Sequence, residues 1–340
     1  MWLNPFIHWI EAKGIFAPWL FLALFLLASL VMIWRLEALS ARGFEGTVLG
    51  TLVMPYCSGL GNLIFAFDYG RLHRDGGDVM INSLVNNVSN MTLILGLPAI
   101  IWGITVMPKA KKPAEGGKKK AEAGDSTHAV NRLSLLFTLL AILFFTGVVW
   151  AMGRKGRLDF NDGLVLVGLF VFWQCIHVFE VLKQDARQGK SALGWMLPVD
   201  LALLAVGAYG IYVSTDWFVH WVDNTARHGF VHEHPGWVSG WVMALPNAVL
   251  AFYYGWRKQA EVVYTSQVGD AHVSIPLCIG IYALFHPMTM PSFFHTGMEL
   301  LLGATAVHLF FVTFMGRLPR VVGVGLVVAY GYFLWKGLLG

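Results

Sequence analysis

The chain has 340 residues and a mass of 37.7 kDa; 56% of its residues are hydrophobic, only 13% are charged, and the mean hydropathy is +0.61. Soluble domains carry roughly 25% charged residues, so soluble globular, disordered and disulfide-scaffold classes are excluded. The formal charge of +4 traces to a lysine cluster in one segment, which points to a cytoplasmic loop and not to nucleic acid. The three cysteines, Cys57, Cys175 and Cys278, are odd in number and sit in apolar surroundings, so no disulfide framework is implied. Residues 1–14 lack a signal-peptide layout.

A helix crossing the hydrocarbon core needs about 20 mostly apolar residues. Ten segments qualify in chain order: 15–34, 47–69, 79–106, 133–152, 160–182, 194–214, 237–255, 261–286, 297–315 and 320–338. Between the third and fourth lies a link, 108–131, rich in Lys, Ala, Glu and Gly, which reads as a flexible solvated tether. The sixth and seventh are separated by a stretch rich in His, Trp and Asp. Four regions follow: 1–107 with the first three helices, the 108–131 link, 132–190 with helices four and five, and 191–340 with the last five. Loops after odd-numbered spans hold 16 of the 24 Lys and Arg, so the positive-inside rule places both termini outside and the Lys-rich link in the cytoplasm. Trp19, Trp34, Trp102, Trp150, Trp237 and Trp335 fall at span ends, as in an interfacial aromatic belt.

Two stretches five spans apart share Gly-Arg-Leu followed by a second glycine seven residues after the first: Gly156-Arg157-Leu158 with Gly163, and Gly316-Arg317-Leu318 with Gly323. An odd number of spans per half means that the halves run in opposite directions through the membrane. The second and third spans extend the match. Gly59-Leu60-Gly61-Asn62 is followed by Asn82, by Asn86, Asn87 and Asn90, and by Gly96. On the seventh and eighth spans, Ala244-Leu245-Pro246-Asn247 is followed by Ser266, by Asp270 and Ser274, and by Gly280. Polar residues thus recur at matching places in apolar helices, where inverted repeats put a substrate site near the membrane midplane. Chance sharing of glycines and Leu/Val is the competing explanation for the Gly-Arg-Leu pair.

At these residues the chain resembles the cation/calcium exchanger superfamily, which includes sodium/calcium and proton/calcium antiporters. The resemblance covers nearly the whole chain and implies an all-α integral membrane fold of ten helices in two inverted five-helix halves. Each half of that family carries a Gly-Thr-Ser-x-Pro-Glu motif on one helix and an Asn/Ser-rich motif on the next. Carried over by position, the two signature glutamates fall on Asn62 and Asn247, and the threonines on Ser58 and Met243. The second motifs fall on Asn86, Asn87 and Asn90 in the first half and on Asp270, Ala271 and Ser274 in the second. Both glutamates are absent.

Calcium takes 6–8 oxygen ligands with enough carboxylate to offset two charges. The site implied by the resemblance offers amides from Asn62, Asn86, Asn87, Asn90 and Asn247, hydroxyls from Ser58 and Ser274, and one carboxylate, Asp270. That set suits a monovalent cation or a proton, and calcium is not the expected substrate. The alternative is that the asparagines only join helices by hydrogen bonds, in a transport-silent subunit of a membrane complex with a protein partner. His228, His232 and His234 in the loop after the sixth span are candidate metal ligands. Asp68, with Arg71 and Arg74 near it, reads either as a cation entrance or as an interfacial ion pair. The isolated histidines His177, His272, His286 and His308 lack paired-haem spacing. No cofactor motif, phosphate cradle or nucleophilic triad is present, and neither an enzyme nor a nucleic-acid partner is expected.

Overall fold

The computed structural model describes residues 4–41, 56–57, 59–105, 118–188, 197–224 and 229–340. A short helix α1 (Asn4–Glu11) precedes α2 (Ala17–Ala41) and α3 (Leu60–Arg71). The third span is broken in its middle: α4 (Gly76–Val88) passes through a π-helical turn (Ser89–Ile94) into α5 (Leu95–Ile101). Next come α6 (Lys118–Gly153), α7 (Phe160–Gln188) and α8 (Leu197–Asn224). A four-residue α9 (Phe230–Glu233) leads into α10 (Pro235–Trp256). The eighth span repeats the break, with α11 (Ala260–Val273), a π turn (Ser274–Cys278) and α12 (Ile279–Phe285). Helices α13 (Phe294–Met315) and α14 (Arg320–Leu334) complete the chain.

Eight helical stretches among the described residues are long and apolar enough to cross a membrane. They are α2, α4–α5, α6, α7, α8, α11–α12, α13 and α14. Helices α3 and α10 take the second and seventh places of the repeat. Gly, Trp, Tyr and two prolines lower the hydropathy of α10, and residues 47–55 of the expected second span lie outside the described part. Helix α6 begins at Lys118, so helix takes in residues 118–131 of the expected link. Lys, Ala and Glu are strong helix formers, and they carry the helix beyond its apolar stretch.

The inverted repeat is visible in the backbone. Four two-residue strands, β1 (Ile104–Thr105), β2 (Arg157–Leu158), β3 (Met288–Thr289) and β4 (Arg317–Leu318), pair across the halves. β1 pairs with β4 and β2 with β3, both antiparallel. The Gly-Arg-Leu motifs thereby acquire a physical role. Gly156 and Gly316 adopt φ of +84° and +61°, a conformation that L side chains resist. The leucines, Leu158 and Leu318, point inward and are buried. The only non-glycine residues with positive φ among those described, His73 and Lys258, each sit eleven residues beyond Asn62 and Asn247.

Packing follows the same symmetry. The first π turn packs on α10, α11, α13 and α14; the second packs on α3, α4, α6 and α7. Helix α5 lies against α14 and α12 against α7. These contacts are close because glycine meets glycine. A Cβ on Gly163 would stand 2.8 Å from the Gly280 carbonyl oxygen, and one on Gly323 would stand 2.8 Å from that of Gly96. Helices α2 and α8 pack on each other and α8 also on α3, and a buried ion pair joins α2 to α8, with Arg35 Nη1 3.1 Å from Asp200 Oδ1.

Overpacking a close helix crossing costs about 1–3 kcal/mol. Gly163→Ala and Gly323→Ala are each expected to destabilise the folded protein by about that amount. Gly168→Ala, on the same helix as Gly163 but with nothing within 4 Å of its Cβ position, is expected to be neutral or stabilising. Unfolding midpoints in detergent micelles check both.

Candidate functional site

Four elements meet at the centre of the fold: α3, α4 with its π turn, α10, and α11 with its π turn. Asp75 caps α4 by accepting a hydrogen bond from the Gly77 amide at 2.9 Å, which fixes where the helix and its row of polar residues begin. Asn86 and Asn90 then fall one turn apart, with Asn87 on the face that also carries Ser83. A π turn widens the helix by one residue and is found mostly at functional positions. Here it begins at Ser89, in the middle of the motif, and the second begins at Ser274, the counterpart of Asn90.

The expected site residues are buried where described. Asn86, Asn87, Asn90 and Ser274 are 0% exposed, Asn62 2% and Asn247 7%. Ser58 and His228 lie outside the described residues, and so does the side chain of Asp270.

These residues divide by what their side chains do. Asn87 is fully committed. Its Nδ2 donates to the Ser83 carbonyl at 2.6 Å and to Ser274 Oγ at 2.7 Å, and its Oδ1 lies 3.1 Å from Ser274 Oγ. That contact joins the two broken spans across the halves. By contrast, Asn62 Oδ1 and both polar atoms of Asn90 have no hydrogen-bond partner among the described residues, and neither has Ser83 Oγ. A buried polar atom left unsatisfied costs about 1–3 kcal/mol, so these atoms call for an explanation.

Several contacts went unforeseen in the sequence. Asn82 Nδ2 lies 3.0 Å from Ser239 Oγ and 3.3 Å from Met243 Sδ, tying α4 to α10. The Met243 thioether offers only a weak acceptor. Gln267 Nε2 donates to the Asn247 carbonyl at 3.1 Å. His308 on α13 is fully buried: Nε2 donates to the Met91 carbonyl in the first π turn at 2.7 Å, and the Tyr264 hydroxyl bonds Nδ1. This arrangement uses both ring nitrogens of a neutral imidazole. A polar residue interrupting an apolar run was the available signal for Gln267 and His308, but it names no partner.

The described histidines of the loop after α8, His232 and His234, have other neighbours. His232 Nδ1 lies 3.4 Å from the Val222 carbonyl oxygen, and His234 packs its ring 4.8 Å from that of Phe230. Among the described residues no group of three His, Cys, Asp or Glu is arranged to hold a metal ion.

Comparison with known proteins gives this geometry its relatives. The sodium/calcium exchanger protein family model matches residues 14–179 and 199–336. The chain belongs to this family. Its fold is similar to that of the sodium-calcium exchanger NCX_Mj soaked with 2.5 mM Na+ and 10 mM Sr2+, at 19% identity and a TM-score of 0.65 over 94% of this chain and 96% of that one. The form of NCX_Mj soaked with 10 mM Na+ and no Ca2+ gives the same identity and TM-score over 94% and 97%. The form without Na+ or Ca2+ gives 17% and 0.63 over 94% and 97%. No curated protein matches the sequence significantly. As a member of the exchanger family the chain is an integral membrane protein of a cation-exchange fold.

A double-mutant cycle of Asn87→Ala and Ser274→Ala is expected to give a coupling energy of about 0.5–1.5 kcal/mol in detergent unfolding, as for other buried interhelical hydrogen bonds. Additive effects would mean that this contact does not join the halves.

Proposed function

We propose that the chain is a secondary cation exchanger whose site takes a monovalent cation or a proton in preference to calcium. The observation that carries this reading is the set of buried amide atoms on Asn62 and Asn90 with no partner among the described residues. Asn86 and Asn247 would complete the cage, with Asp270, on α11 one turn before Ser274, as its charged member. Neutral oxygens with one carboxylate match one positive charge, whereas calcium favours more carboxylate. NCX_Mj was studied with Na+, Sr2+ and Ca2+; the loss of both signature glutamates here argues for a narrower set. The lysine distribution supports termini outside and residues 108–131 inside.

The second reading, a transport-silent subunit, draws on the Asn87–Ser274 bond, which spends two expected ligands on holding the halves together. Flux in proteoliposomes under Na+, K+, H+ and Ca2+ gradients separates the two. Flux of a monovalent ion, falling by about tenfold or more in Asp270→Asn and Asn90→Leu, is the outcome expected for a cage built on these groups. Correctly inserted protein with no flux under any gradient would establish the silent subunit instead. Calcium flux matching that of the monovalent ions would overturn the selectivity.

A further inference from the structure

The first π turn is held by side chains outside the asparagine cage. In a regular α-helix the Met91 carbonyl would accept from the amide four residues on, at Leu95; that amide donates to the Thr92 carbonyl instead. A carbonyl freed in this way inside a membrane protein needs a partner from a neighbouring helix. His308 of α13 supplies it, with Nε2 2.7 Å from the Met91 oxygen. A carbonyl can only accept, so Nε2 carries the proton and Nδ1 is left as an acceptor. The Tyr264 hydroxyl of α11 donates to that nitrogen. The two rings meet edge to face with centroids 5.3 Å apart, and both residues are 0% exposed. A further anchor is Tyr330 of α14, whose hydroxyl lies 3.2 Å from Ser89 Oγ and 2.9 Å from Trp241 Nε1.

The second π turn is seated differently. The interval that separates Gly163 from Gly323 carries His308 onto Val148 and Tyr330 onto Phe170. Neither side chain has a hydrogen-bonding group, and Phe170 clusters with Val273 and Leu277. Apolar side chains thus suffice to seat a π turn in this fold, and packing alone does not call for a buried Tyr-His pair. What differs at the first turn is its cargo. Asn90 stands next to Met91, and its two polar atoms have no partner among the described residues. An amide without partners keeps a fixed direction only if the backbone that carries it is held from outside.

We propose that Tyr264 and His308 are positioning residues that fix the first π turn and thereby hold the Asn90 amide in place for a bound cation. The hydrogen-bonded link stands on its own geometry; its consequence for cation binding rests on the exchanger reading above.

Nitrogen-15 NMR of the histidine-labelled protein in lipid reads which ring nitrogen holds the proton. The expected result is one histidine among the twelve with Nε2 protonated and a bare Nδ1 whose resonance moves in Tyr264→Phe. No histidine of that tautomer, or none whose Nδ1 responds to Tyr264→Phe, would overturn the link. Flux in proteoliposomes tests the positioning, with whichever of Na+, K+ and H+ is carried. Tyr264→Phe should raise the half-saturating ion concentration by about two- to tenfold, the scale of one neutral hydrogen bond, and nearly keep the maximal rate. His308→Leu, which removes both bonds, should raise it further, and His308→Gln, which retains a donor and an acceptor, should recover part of that loss. Melting midpoints show that each variant is folded. A half-saturation unmoved by Tyr264→Phe and His308→Leu, or a fall in maximal rate alone, would make the link a packing element and overturn the positioning. No flux under any gradient would sink the exchanger reading and the positioning with it, while the NMR signal would still decide whether the link exists.

Discussion

In hydrocarbon a polar group that finds no partner inside the protein finds none at all. That constraint organises this molecule, because its third and eighth spans carry more amide and hydroxyl groups than a lipid-facing helix tolerates. They are accordingly the most enclosed spans, and each is broken by a π turn that aims its polar residues at the opposite half. The Asn87–Ser274 contact and the paired glycines on either side of it are the means of closure. The glycines let backbone approach backbone, and the hydrogen bond determines which residues meet.

Symmetry of the backbone is nearly complete, and symmetry of the chemistry is not. Strand pairs, π turns and the left-handed residues His73 and Lys258 all have counterparts. Asn87 has Ala271 as its partner position, Asn90 has Ser274, and the His308 position of α13 corresponds to Val148 on α6. The link from Tyr264 through His308 to the Met91 carbonyl therefore holds one π turn and has no equivalent at the other. An inverted repeat whose halves differ in this way presents two unlike walls to anything bound between them.

Charge is treated sparingly. Arg35 and Asp200 neutralise each other where α2 meets α8, and the buried polar side chains described on the two broken spans are amides and hydroxyls. Helix packing depends on volume and polar pairing and hardly on which amide or carboxylate fills a position, so one fold tolerates wide change in the chemistry it carries.

Much of this was legible in the amino-acid order. Long apolar runs, the recurring Gly-Arg-Leu and the polar residues at matching intervals establish a helical membrane protein of two inverted halves, because apolar length and repeat parity are properties of the chain itself. The same residues could not tell that Leu158 and Leu318 belong to cross-half strand pairs, or that helix begins at Lys118, where propensity extends an element past its apolar stretch. Nor could they separate the asparagine that joins the halves from those left unsatisfied. Asn87 and Asn90 are three residues apart and chemically identical; only the position of Ser274 on the opposite half commits one side chain and leaves the other without a partner among the described residues. Composition decided that polar groups would be buried in the membrane, while the crossing of the two broken helices decided which of them have partners, because a hydrogen bond needs two atoms within about 3 Å and sequence spacing specifies only one side of that distance.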